Sequence, residues 1–115
     1  MTNMTKESLK ARCLQAIDEK RDQIIALGQE IFAHPELGFK EVHTADLVRR
    51  TFKSLQIPYR DHLAITGVRG DLTGGRPGPR VMIMGELDAV VCPLHPQADP
   101  ATGAAHSCGH NAQIA

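Results

Sequence analysis

The 115-residue chain has almost no charge asymmetry, thirteen Lys and Arg being offset by thirteen Asp and Glu. Without a field of one sign, neither nucleic acid nor an anionic membrane surface is a natural partner. Long apolar runs are missing too: apolar residues are dispersed in amphipathic patterns, and the polar start "MTNMTKESLK" lacks the apolar core of a signal peptide. A soluble, cytoplasmic chain with no membrane partner is the expectation. The three cysteines, Cys13, Cys92 and Cys108, are odd in number and fit no disulfide framework. Reduced thiols follow, and the absence of Cys-x-x-Cys argues against a thiol-redox protein. No repeat of solenoid length is visible, and the length sets one domain as the ceiling.

What is present begins with helical periodicity. From about Lys6 to Ala33, the residues Leu14, Ile17, Ile24, Leu27 and Ile31 recur at the spacing of a helix that buries one stripe. "HPELG" ends it, because Pro35 biases His34 away from helical torsions and Gly38 offers a turn. A second helix is predicted from about Glu41 to Leu55 on Ala45, Val48, Phe52 and Leu55. Beyond "QIP" the period shortens, with strands expected near Tyr59 to His62 and Val68 to Thr73 and a hairpin connection at "GGRPGP". "RVMIMGELD" has apolar residues on both faces, the pattern of a strand covered on two sides in an α/β sheet. The proline-rich "CPLHPQADPATG" reads as a loop, and Asn111 as the cap of a helix starting near the chain end.

The chemistry concentrates at the end of that apolar strand and in "HSCGHN". Glu86 and Asp88 are two apart, so an extended backbone points them the same way. Cys108 and His110 are also two apart and can converge from a turn, with Gly109 between them allowing the backbone to bend. A thiolate, an imidazole and carboxylates suit zinc or a similar divalent ion. Each signal has a plainer reading on its own, since a Cys-x-His arises by chance and acids at a strand end are commonly solvated. His34 reads as a cap on the negative end of the first helix, and His43 and His62 as surface residues; none of the three is a ligand candidate. His95 and His106 serve either substrate or structure, and Cys13 and Cys92 read as small buried hydrophobes.

The joint order of "HPELGF", a helix, "GPRVMIMGELDA" and "HSCGHN" resembles the start of the metal-dependent amidohydrolases within the aminoacylase and carboxypeptidase superfamily. That branch includes hippurate, indoleacetyl-amino-acid and aminobenzoyl-glutamate hydrolases, and the resemblance runs from about residue 24 to residue 115. It implies an α/β fold, the N-terminal part of a zinc-peptidase-like catalytic domain: two helices, then strands of a mixed sheet, incomplete within residues 1–115. It implies metal-ligand roles for Cys108 and His110. Asp88 matches the family's strand-end motif and is expected to orient a ligand, while Glu86 departs from that motif and its role as a third ligand stays open. Asn111 stands where many relatives carry Asp. The resemblance further implies two divalent ions per complete site (zinc, manganese or cobalt), a small amide or peptide substrate, and a homodimer for the full-length relative. A water attacks the amide carbonyl with a glutamate as general base in that scheme. The glutamate, the remaining ligands and the lid or dimerisation domain lie downstream of "CGHN" in relatives, so the isolated chain is expected to be inactive. The competing reading is a stable non-catalytic metal-binding or interaction module.

Overall fold

The computed structural model describes residues 4–115. Helix α1 spans Lys6–Ala33, as the periodicity predicts, and Thr5 caps it, its hydroxyl oxygen accepting from the Ser8 amide at 3.2 Å. His34 closes the other end: its amide donates to the Ile31 carbonyl at 3.1 Å, and its ring Nδ1 lies 2.9 Å from the Glu30 carbonyl. Only the C-terminal half of α1 is packed. Ile31 is buried, Ile24 and Leu27 are half-buried, and Leu14 and Ile17 of the same stripe are 64% and 55% exposed. Cys13 is likewise exposed and Cys92 half-buried, so the expectation of buried thiols fails where the helix has nothing to pack on; all three cysteines are free.

Helix α2 spans Val42–Ser54 and is capped from a distance. Its own N-cap residue, Glu41, gives no side-chain cap; the Glu36 carboxylate does, with Oε1 accepting from the His43 amide at 2.9 Å and Oε2 from the Thr44 amide and hydroxyl at 2.9 and 3.0 Å. A carboxylate there also meets the positive end of the helix dipole. Glu41 turns the other way and accepts from the Thr66 hydroxyl at 2.7 Å, its side chain buried against the hairpin that follows.

That hairpin pairs β1 (Tyr59–Leu63) with β2 (Gly67–Gly70), antiparallel and with an irregularity between Arg60 and Leu63. The turn falls at Ala64 to Thr66 and not at "GGRPGP", with φ of +47° at Ala64 and +86° at Ile65. Phe52 of α2 stacks toward Tyr59 with ring centroids 6.3 Å apart, which seats the hairpin on the helix. A second antiparallel pair joins β3 (Val90–Val91) to β4 (Ala104–Ala105), and a lone parallel bridge links Leu37 to Ala89. The fold is α/β, with its strands in two small antiparallel sheets. Helix α3 (His110–Ile114) ends the chain. Asn111 lies inside it and not at its cap, where Gly109 stands; its amide nitrogen instead donates to the Gly28 carbonyl of α1 at 3.3 Å.

The apolar strand expected at Val81 to Met84 pairs with nothing. Val81, Met82, Ile83 and Met84 are 86%, 71%, 97% and 72% exposed, so the pattern of two-sided burial has no partner surface among the described residues. The total accessible surface, 9087 Å², exceeds the roughly 6,200 Å² that a compact monomer of this size presents. No described helix is long and apolar enough to cross a membrane.

Two outcomes are expected. Glu36→Ala leaves the hydroxyl and amide of the fully buried Thr44 without their acceptor, and should cost about 1–3 kcal/mol in denaturant unfolding; a change within ~0.3 kcal/mol counts against the capping role. The exposed Val81–Met84 segment should drive self-association in sedimentation, and Val81→Lys with Ile83→Lys should suppress it. A wild-type chain that stays monomeric at every concentration contradicts this.

Candidate metal centre

The buried residues are few: Ile31 of α1, Thr44 and Ala45 of α2 with Glu41 before it, Ala89 at the bridge to Leu37, Ala104 and Ala105 of β4, and His106. Alanines dominate because backbones approach closely there. The Ala89 amide donates to the Glu36 carbonyl at 2.7 Å, so the end of "GELDA" is tied to the "HPELG" turn. Gly85 lies under α3, where a Cβ would stand 2.6 Å from Ile114 Cδ1.

This packing brings Glu86, Asp88 and His110 together. His110 Nδ1 lies 2.8 Å from the Asp88 carbonyl and 3.3 Å from its carboxylate, and Nε2 lies 3.2 Å from Glu86 Oε2. A carbonyl can only accept, so Nδ1 carries a proton. Nε2 then faces the Glu86 carboxylate, so each ring nitrogen has an oxygen beside it. Donors of a tetrahedral zinc ion at 2.0–2.2 Å lie roughly 3.3–3.6 Å from each other, close to the observed spacing.

Cys108 stands apart from this arrangement. It is exposed, and no group of three donors within 4.8 Å of each other includes Cys108, Glu86, Asp88 or His110 among the described residues. Gly109 separates it from His110 with φ of +85° and ψ of +16°, and a Cβ there would meet nothing within 4 Å. The glycine is required by the left-handed backbone and not by crowding. His106, two residues before Cys108, is 5% exposed, and neither ring nitrogen has a hydrogen-bond partner. Burial pushes its pKa below the ordinary 6.5, with the neighbouring His110 acting in the same direction. His95 packs edge-on against Phe32 of α1 with centroids 6.2 Å apart, and its Nδ1 accepts from the Gln97 amide at 3.2 Å. In the same loop Asp99 Oδ1 accepts from the Ala101 amide and from the amide and hydroxyl of Thr102, which holds its carboxyl below the usual range.

Read from the sequence, neither His34 nor His43 is a ligand candidate. The structure places both beside Glu30, one donor atom from each residue lying within 4.8 Å of the others. Nothing in the local pattern predicted this, because His43 arrives from the next helix.

No family model matches the chain, and no solved structure matches it. Among curated proteins, it is 33% identical to an N-acyl-L-amino acid amidohydrolase of Geobacillus stearothermophilus over 97% of the chain and 30% of that protein. It is 32% identical to an IAA-amino acid hydrolase of Arabidopsis thaliana over 81% of the chain and 22% of the relative. A thermostable carboxypeptidase of Saccharolobus solfataricus is 30% identical over 86% of the chain and 26% of its own length. The chain belongs, as an N-terminal portion, to the superfamily of amidohydrolases and carboxypeptidases. It spans between a fifth and a third of the length of these relatives.

His106 makes stability depend on pH. Its folded pKa lies below its unfolded value, so the folded state binds fewer protons in the window between the two. Its contribution is complete above the ordinary 6.5 and is lost as pH falls below that value toward the folded pKa. His106→Leu should flatten the loss of unfolding free energy on mild acidification; an unchanged slope contradicts the assignment.

Proposed function

We propose that this chain forms the N-terminal portion of the catalytic domain of a metal-dependent amidohydrolase that cleaves the amide bond of N-acyl amino acids or related small peptides. The observation that carries the reading is His110: Nδ1 is fixed by Asp88, and Nε2 is aimed at a carboxylate at ligand spacing. Metal-binding imidazoles commonly commit the second nitrogen to a carbonyl or carboxylate in this way, which fixes ring orientation and raises basicity. His110 and Glu86 are the ligands we assign from geometry. Cys108, exposed two residues before His110, is the thiolate available to join them. Asp88 is a positioning residue that acts through His110. A divalent ion held here supplies Lewis acidity to the amide carbonyl and to water.

Three ligands for a centre of two ions leave it unfinished, and no general base is assignable in residues 1–115. The lid or dimerisation domain and the remaining ligands fall to sequence outside these residues, as does substrate choice. The relatives named above act on acylated amino acids and peptides, which supports a small amide substrate in place of a macromolecular one.

The 115-residue chain should show no turnover of hippurate, indoleacetyl-alanine or aminobenzoyl-glutamate with zinc, manganese or cobalt. Joined to the downstream part of the Geobacillus relative, it should give metal-dependent hydrolysis that is abolished by Cys108→Ala and by His110→Ala. Turnover by the chain alone that disappears in Cys108→Ala contradicts the half-site reading; a folded, metal-loaded chimera indifferent to both substitutions contradicts the ligand assignment.

A further inference from the structure

We propose a second metal site, sharing no residue with the first, in which Glu30 and His34 of the last turn of α1 and its cap join His43 of the first turn of α2 to bind one zinc-like divalent ion. Glu30 and His34 are four residues apart and project from the same helix face. His34 Nδ1 lies 2.9 Å from the Glu30 carbonyl and 3.5 Å from Glu30 Oε1, so it is the nitrogen on the side of the cluster, and the tautomer with its proton on Nε2 frees the Nδ1 lone pair for an ion. His43 Nε2 lies 3.1 Å from Glu30 Oε1, and the two imidazoles lie 4.4 Å apart between centroids with planes inclined by 34°. Two rings from different helices thus gather around one carboxylate.

The backbones that carry the three ligands are held. The His34 amide is bonded to the Ile31 carbonyl, and the His43 amide to Glu36 Oε1 at 2.9 Å. The side chains are freer, with exposures of 51% for His34, 45% for Glu30 and 34% for His43. One donor from each lies within 4.8 Å of the others, against roughly 3.3 Å between donors of a tetrahedral ion. The two contacts to the carboxylate, 3.1 Å from His43 Nε2 and 3.5 Å from His34 Nδ1, already lie near that spacing. As a surface ion pair the arrangement contributes little. As two imidazoles and a carboxylate it is a donor set suited to zinc, and three ligands leave a coordination position open to water or to a group from another molecule.

The test uses zinc alone, on a chain carrying Cys13→Ser, Cys92→Ser, Cys108→Ser and His110→Gln. These changes remove the thiolates and the imidazole of the first site. Calorimetric titration should show one zinc per chain. Adding His43→Gln should weaken binding at least about tenfold, the lower end of what losing even an outer partner of a ligand costs. In the unmodified chain, zinc should move the ring NMR signals of His34 and His43 together and leave those of His62 in place. Absence of zinc uptake in the substituted chain together with unmoved His34 and His43 signals in the unmodified one overturns the proposal, as does uptake indifferent to His43→Gln. The calorimetric arm lacks the first site and the NMR arm reads only His34, His43 and His62, so none of these outcomes bears on the amidohydrolase reading.

Discussion

One carboxylate organises the packed half of this molecule. Glu36 sits in the turn between the two long helices, and its side chain caps α2 through His43 and Thr44 while its backbone carbonyl receives the Ala89 amide. Without it the first turn of α2 has no side-chain acceptor, since Glu41 is engaged with Thr66. The same residue therefore sets the angle between the helices and fixes the end of "GELDA" against them. Asp88, adjacent to Ala89, is in this way placed where its carbonyl meets His110. The candidate metal centre is thus tied, through a backbone carbonyl, to the turn that also carries the cap of α2.

The other half of the molecule shows what an interrupted pattern looks like in physical terms. Leu14 and Ile17 continue the helix stripe that Ile31 buries, and Val81 to Met84 have the composition of an interior strand, yet these residues face solvent. Their periodicity encodes a surface to be covered, and no described residue covers it. Relatives several times longer than this chain align with it over most of its length at 30–33% identity.

How much could be read from the sequence differs by element. The helices were legible because their apolar residues repeat over several turns and because Pro35 and Pro58 mark where each stops. The hairpin turn was not: Ala64 and Ile65 adopt positive φ without glycine or asparagine to announce it, while "GGRPGP", rich in turn residues, forms only a loop. Register could not reveal the missing ladder at Val81, since burial on both faces depends on neighbours a local window does not contain. At the site, two-residue spacing pairs Glu86 with Asp88 and Cys108 with His110; the structure brings both acids beside His110 through contacts between separate segments. The caps and clusters that cross elements, Glu36 on α2 and Glu30 with His34 and His43, depend on a tertiary angle and left no local signal. Between Cys108 and His110, Gly109 takes the left-handed backbone that its residue type allows.

The central claim is that "HSCGHN" contributes a thiolate and an imidazole to one metal ion. Titration with cobalt(II), followed at the sulfur-to-metal charge-transfer band, tests it most directly. The account predicts a band that vanishes in Cys108→Ser, weakens in His110→Ala and Glu86→Gln, and is unaffected by Cys13→Ser. A band that survives Cys108→Ser and disappears in Cys92→Ser would place the ion in the proline-rich loop and contradict the account.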